Sequence, residues 1–101
     1  MHRPPHANEP FALQNELRKE FEYNQVQFVL TELDTAATFC EVAKCASDPE
    51  KIKRNIANAR LGYETALKFS RGANFDENAK FEFDSKRNNV KALLTALGED
   101  L

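Results

Sequence analysis

Histidine and cysteine, the side chains that most often bind metals or act as nucleophiles, are scarce in this chain. His2 and His6 both precede the first periodic apolar segment. Cys40 and Cys45 lack the C-x2-C spacing of zinc sites, and no histidine is near them in the sequence to serve as a base. Five residues along one helix would turn the two thiols about 140° apart, which disfavours a disulfide between them. We therefore expect no metal, no cofactor and no activated cysteine.

Phosphate-binding and acid–base motifs are also missing from the sequence. The three glycines, Gly62, Gly72 and Gly98, stand alone rather than in a glycine-rich loop. Carboxylate pairs such as Glu16 with Glu20 fall in segments with helical periodicity, where they are typical of a solvated face. The sequence thus predicts a protein without catalytic activity.

The charge of the chain is small overall but unevenly distributed. The net charge is −2 at pH 7, so we expect neither nucleic acid nor an acidic membrane as a partner. Residues 47–72 carry six basic and three acidic side chains, whereas residues 10–46 carry three basic and six acidic ones. This asymmetry favours packing within the chain or head-to-tail self-association. A nucleic-acid contact by residues 47–72 ranks below these because the sequence predicts no broad basic patch with exposed aromatic residues.

No stretch of the sequence has the properties of a membrane span or a secretory leader. No apolar run reaches the roughly 18 residues that a span needs. The segment "MHRPPHANEP" lacks the apolar core of a signal peptide. We expect a cytoplasmic protein.

Prolines and glycines limit where helices can form. Residues 1–9, with two adjacent prolines, are predicted to be a disordered tail, and residues 10–101 a single domain. Between residues 11 and 46 there is no proline or glycine, and apolar residues recur on two neighbouring helical stripes. The first helix is therefore expected over this range with partners on two sides, and the polar residues 22–27 mark a point where it could break.

Capping residues delimit two further helices. The second helix is predicted to begin at Ser47 or Asp48, with Ser47 and Glu50 in a capping-box pattern, and Gly72 is predicted to end it in the left-handed conformation. The third helix is predicted to begin near Asp76, with Asn74 and Glu77 as an alternative cap one turn earlier, and to end at Gly98. These elements predict an all-α fold, a three-helix antiparallel bundle, or a four-helix arrangement if the first helix is broken.

Three residues of the second helix do not fit its main apolar face. That face consists of Ile52, Ile56, Ala59, Tyr63, Ala66 and Leu67. Leu61 lies roughly 170° from its centre and Phe69 roughly 110° from it, with Gly62 beside Phe69. A glycine inside a helix costs about 1 kcal/mol relative to alanine, so close approach of another helix would explain Gly62. Leu61, Gly62 and Phe69 are therefore the candidate interaction surface.

The segment "IANARLGYETALKF" resembles the second helix of a tetratricopeptide repeat. Ala59, Tyr63 and Ala66 have the small–aromatic–small spacing of that helix. Arg71 stands where the family has a proline, and no second copy of the pattern recurs after about 34 residues. The pattern is also similar to that of MIT domains, which are free-standing three-helix bundles that bind short helical peptides. Both resemblances imply a helical interaction module.

Two classes of function remain open from the sequence. The first is a small protein-interaction or structural module that self-associates or binds another protein through apolar surface outside its core. The second is a helical domain that binds a small apolar ligand in a pocket lined by some of its eight phenylalanines.

Overall fold

Between residues 9 and 101 the chain folds into three α-helices. The computed structural model describes residues 9–101, with side chains from residue 12 onward. The helices are α1 (Glu9–Cys45), α2 (Pro49–Ser70) and α3 (Glu77–Ala96), and no strand occurs between residues 9 and 101. The all-α prediction is confirmed. The predicted disordered tail lies outside the described residues, apart from Glu9, which begins α1.

α1 runs without a break through the polar stretch at residues 22–27. Within this stretch Val26 is buried in the core and carries the apolar face of the helix across otherwise polar residues. The four-helix alternative, which required a break here, is therefore wrong. α1 has 37 residues, a length of about 55 Å. α2 and α3 have 22 and 20 residues, so neither can cover α1 along its whole length.

Aspartates begin the second and third helices. The Asp48 carboxylate accepts a hydrogen bond from the Glu50 amide at 3.1 Å, and Asp76 accepts one from the Ala79 amide at 2.7 Å. The N-cap of α2 is thus Asp48 rather than Ser47, which leaves Pro49 in the first turn, where a missing N–H costs nothing.

The end of α2 differs from the prediction. Among the described residues Gly98 has a positive φ, at 96°, and Gly72 does not, so Gly72 is not a left-handed stop. Side chains satisfy the last carbonyls of α2 instead. Gln25 Nε2 donates to the Phe69 carbonyl at 3.4 Å, and the Ser70 hydroxyl donates to the carbonyl three residues earlier at 2.7 Å. With these groups bonded, the helix end needs no left-handed residue.

All three helices contribute to one apolar core. Its buried members include Val29, Leu30, Leu33 and Cys40 from α1, Ala59, Tyr63 and Ala66 from α2, and Phe83, Val90 and Leu94 from α3. α1 packs against both other helices more extensively than they pack against each other. An ion pair between Lys86 and Asp34 adds a polar link between α3 and α1. α1 is therefore the element on which the others are assembled.

Gly62 marks a close approach of the α1 and α2 backbones. A Cβ atom placed on Gly62 would lie 3.3 Å from the Ala36 Cβ and 3.3 Å from the Glu32 carbonyl oxygen. Gly62 is buried, whereas Ile52 and Ile56 are only half-buried. The expectation that Gly62 lies outside the main buried face of α2 is therefore wrong. Small residues allow the backbones of α1 and α2 to approach each other. The buried face of α2 is therefore centred on its small residues rather than on the larger isoleucines.

Replacing Gly62 with leucine should destabilise the fold, although leucine is the better helix former. The new side chain would collide with the Glu32 backbone and with Ala36, and overpacking of this kind costs about 1–3 kcal/mol. Thermal unfolding followed by circular dichroism should show a melting temperature lowered by about 4 °C or more.

Gly72→Ala is the matched control for this substitution. A Cβ on Gly72 would meet only the flexible Gln25 Nε2, at 3.4 Å, so the melting temperature should change little. A Gly62→Leu protein at least as stable as the unmodified chain would contradict the close contact.

Candidate interaction surface

The N-terminal part of α1 projects beyond the other two helices. Every residue from 12 to 21 is exposed, and we call this segment the overhang. α2 ends beside Gln25, whose side chain bonds to its last turn. The loop before α3 reaches α1 at Glu22, which accepts a hydrogen bond from Asn74 at 3.3 Å. The residues before Glu22 therefore extend past the ends of both neighbours.

The overhang carries a row of exposed apolar side chains. Leu13, Leu17 and Phe21 are 58%, 56% and 67% exposed. Each four-residue step turns the helix by about 40°, so the three side chains lie within about 80° of one another. We call these three residues the apolar ridge. No other part of the described chain covers it.

The apolar ridge leads into a groove between α1 and α2. The groove is lined by Phe21, Asn24, Gln25, Phe28 and Phe69. The rings of Phe28 and Phe69 meet edge to face with their centroids 5.5 Å apart, and both residues are 44% exposed. Because edge-to-face pairs prefer a defined geometry, the two rings form a fixed apolar wall of the groove.

α3 lies on the other side of α1 from this groove. Asp34 bonds to α3, and Val26 lies beside the loop and first turn of α3. On the helix these two residues are turned about 120° and 160° away from Phe28. The apolar ridge and the groove thus form one surface that α3 leaves open, which we call the α1–α2 apolar surface.

The three residues predicted as an interaction surface lie in three different environments. Phe69 forms part of the groove wall. Gly62 is buried in the contact with α1 and is not accessible to another chain. Leu61 is 64% exposed. Arg54 and Lys68 are each seven residues from Leu61, so both lie on the same side of α2, turned by about 20° around the helix axis. The structure therefore joins Phe69 to the α1–α2 apolar surface and leaves Leu61 exposed outside it. Their part in binding another chain stays a prediction.

The apolar ridge has a recognisable signal in the sequence. The four-residue spacing of Leu13, Leu17 and Phe21 indicates one helical stripe. Spacing alone does not tell whether such a stripe meets a partner inside the chain. The signal that decides it is helix length, because a helix of 37 residues beside helices of 22 and 20 residues must leave part of its stripe uncovered.

A second depression lies at the other end of α2. It is lined by Pro49, Ile52, Lys53, Ile56, Ala57 and Glu99. Arg60 bonds to Glu99 at 3.0 Å and to Glu64 at 3.3 Å beside this site. The isoleucines there are already half-buried, and charged groups surround them. This depression is the weaker candidate because it has less uncovered apolar surface for a partner to bury.

Reactive and metal-binding groups are dispersed over the described residues. Cys40 is buried and Cys45 is exposed, and both are free thiols. Burial, with a smaller contribution from Glu41, raises the pKa of the Cys40 thiol, which lowers its reactivity. Between residues 9 and 101 no three His, Cys, Asp or Glu side chains are grouped to hold a metal ion. Within the same range no helix is both long and apolar enough to cross a membrane.

Comparison with known proteins gives no relative from which to transfer a function. No protein-family model, no curated protein and no solved structure matches the chain. The geometry of the α1–α2 apolar surface itself provides an apolar ridge and an apolar groove.

The two thiols should differ strongly in reactivity. Iodoacetamide applied to the native protein near pH 8 should modify Cys45, while Cys40 should react only after unfolding, because its thiol is buried and its pKa is raised. Intact-mass spectrometry should show one adduct in buffer and two in denaturant. A Cys45→Ser variant should take up none in buffer, and rapid modification of that variant would show that the core around Cys40 is open.

Proposed function

We propose that this protein is a helical interaction module without catalytic activity, and that the α1–α2 apolar surface is where a helix of another chain binds. The observation that carries the proposal is the apolar ridge, which consists of three large side chains, each more than half exposed, on the part of α1 that extends past the ends of α2 and α3. Single exposed apolar residues are normal on protein surfaces. A continuous row joined to a groove is typical of an interaction site.

Burial of this surface would supply enough free energy for a reversible complex. Fully burying a leucine or phenylalanine side chain gains about 1.5–3 kcal/mol. The five apolar side chains of the ridge and groove are between 44% and 67% exposed, so about half of that gain remains available from each. The sum from one partner is roughly 4–7 kcal/mol. The costs of association then reduce it, which favours a complex of moderate affinity.

We also infer that the three helices form an antiparallel bundle in up–down–up order. Gln25 bonds to the C-terminal end of α2, whereas Ala36 lies against Gly62 in its middle. α1 and α2 therefore run in opposite directions. Glu22 meets the loop before α3, whereas Asp34 pairs with a lysine in the middle of α3, so α3 runs in the direction of α1. This order leaves the N-terminal end of α1 free to project.

A small apolar ligand bound in the groove is the second candidate. Three phenylalanine rings line the groove, a lining suited to a flat apolar molecule. Such a ligand would leave Leu13 and Leu17 in water, however. A helix of another chain would cover both the groove and the ridge, which ranks the interaction module first.

Photo-crosslinking in cells that naturally make the protein tests the proposed function. Benzoylphenylalanine in place of Phe21 should form covalent adducts with a protein chain, because Phe21 lies where the apolar ridge meets the groove. Benzoylphenylalanine in place of Phe81, which is 76% exposed on α3, is the matched control and should form few adducts. Gel electrophoresis and mass spectrometry of the adducts provide the measurement.

The mass of the adduct separates the kinds of partner. An adduct of twice the chain mass identifies a second copy, and any other mass identifies a different protein. Equal yields at the two positions, or no protein adduct at position 21, would contradict the proposed function. A small apolar molecule that copurifies with the chain and is lost from Phe28→Glu would favour the second candidate.

A further inference from the structure

We propose that the last turn of α2, residues 67–70, is a movable wall of the groove, and that Gln25 is the positioning residue that holds this wall closed. The inference rests on the proposed function for the use of the groove and adds how the width of the groove is regulated. In the closed form, Phe69 lies against Phe28. In the open form the last turn of α2 is unwound and Phe69 leaves Phe28, so the groove is wider.

The C-terminal end of α2 is held differently from that of α3. The amides of Gly98 and Glu99 bond back to carbonyls in the last turn of α3, both at 3.0 Å, so backbone groups close that helix end. The Phe69 carbonyl of α2 instead accepts a hydrogen bond from Gln25 of α1, at 3.4 Å. The second side-chain bond at this end, from the Ser70 hydroxyl, stays within the turn itself. The order of the last turn of α2 therefore depends on a side chain from another helix.

Few buried side chains anchor this part of the chain. Ala66 is fully buried, and the next buried residue along the sequence is Phe83. Every residue between these two is half-buried or exposed. Segments with few buried apolar contacts open locally while the core stays folded. Unwinding of the last turn of α2 thus leaves Ala66 and the rest of the core in place.

Gln25 lies at the point where the chain leaves α2. Its Nε2 atom bonds to the Phe69 carbonyl and lies 3.4 Å from the position that a Cβ on Gly72 would take. Apart from the neighbouring residues of the chain, no other described atom comes within 4 Å of that position. The backbone at Gly72 therefore has room to turn when the bond from Gln25 breaks.

Two contacts of modest strength keep the wall closed. The net gain from one hydrogen bond corresponds to a factor of about two to ten in an equilibrium constant. The edge-to-face contact of Phe28 and Phe69 adds a factor of similar size, and it fixes the rings only while the last turn of α2 is wound. A partner side chain that fits only the wider groove binds with an affinity lowered by the fraction of open form. Gln25 thereby regulates which side chains the groove accepts.

Amide hydrogen exchange of the single chain, followed by nuclear magnetic resonance, tests the proposal. Gln25→Ala should raise the exchange rates of the amides in the last turn of α2 by about two- to tenfold, because it removes the bond to the Phe69 carbonyl. The amides around Tyr63, in the middle of α2, should exchange at unchanged rates because the core stays folded.

Two further variants separate the hydrogen bond from side-chain packing. Gln25→Met keeps a side chain of similar length that cannot donate a hydrogen bond, so it should act like Gln25→Ala. Asn24→Ala is the matched control, because it removes an amide side chain from the same groove and leaves the bond to Phe69 in place. It should leave exchange at the end of α2 unchanged.

A fluorine label reports the position of the wall directly. With para-fluorophenylalanine in place of Phe69, the fluorine resonance should move toward that of the unfolded chain in both Gln25 variants. The same resonance should stay in place in Asn24→Ala. A general loss of stability would not produce this difference between variants, and circular dichroism establishes that each variant keeps its helices.

The outcomes separate this inference from the proposed function. Unchanged exchange at the end of α2 in both Gln25 variants overturns the role of Gln25. A rise that is equal along all of α2 overturns the local movement, because it shows that the whole helix opens. With either result, protein adducts at position 21 would leave the interaction module standing with a rigid groove. Local movement without such adducts would instead support the movable wall and overturn the proposed function alone.

Discussion

The close approach of the α1 and α2 backbones at Gly62 sets the positions of the other elements. With the Ala36 side chain and the Glu32 carbonyl only 3.3 Å from where a Cβ would stand, the two helices cannot slide along each other without a clash. The loop between Cys45 and Pro49 is short, so α2 begins close to the end of α1. Its 22 residues therefore reach back only as far as Gln25, where the side-chain bond to Phe69 closes the contact.

The uncovered part of α1 follows from this arrangement. α3 begins near Glu22, so both neighbours stop at about the same level of α1. The residues of α1 that lie beyond that level keep the apolar periodicity of the helix but have no helix beside them. One apolar stripe of α1 thus packs inside the chain along part of its length and lies open along the rest. The edge-to-face pair of Phe28 and Phe69 lies at the boundary between these two parts.

Sequence patterns predict the elements of this fold better than their contacts. The three helices, the cap at Asp76 and the end at Gly98 follow from local signals, because capping and periodicity are properties of neighbouring residues. The burial of Gly62 does not follow from such local signals. Apolar periodicity locates the centre of a helical face from its large side chains, and glycine has no side chain. The left-handed conformation predicted for Gly72 is absent for a related reason. One of the groups that bond the last carbonyls of α2 comes from Gln25, which is 44 residues away from the carbonyl that it bonds.

The candidate surface was only partly predictable for the same physical reason. Phe69 stands out by its rotation from the main face of α2, and it does line the groove. Leu61 stands out equally in the sequence but is exposed outside the groove. Which of two exposed apolar residues has an apolar neighbour depends on the helix packed alongside, and that information is tertiary.

The overhang also links the internal equilibrium of α1 to its association. Isolated helices of this length are marginal in water, yet residues 12–21 are helical in the single chain although every one of them is exposed. They are spared the cost of nucleation because they extend a helix already anchored in the core. Their outer turns can nevertheless unwind while the core stays folded. Any complex formed through the apolar ridge must then hold those turns, at a cost in conformational entropy. Its affinity would consequently respond to temperature, or to changes in helix propensity at positions that touch no partner.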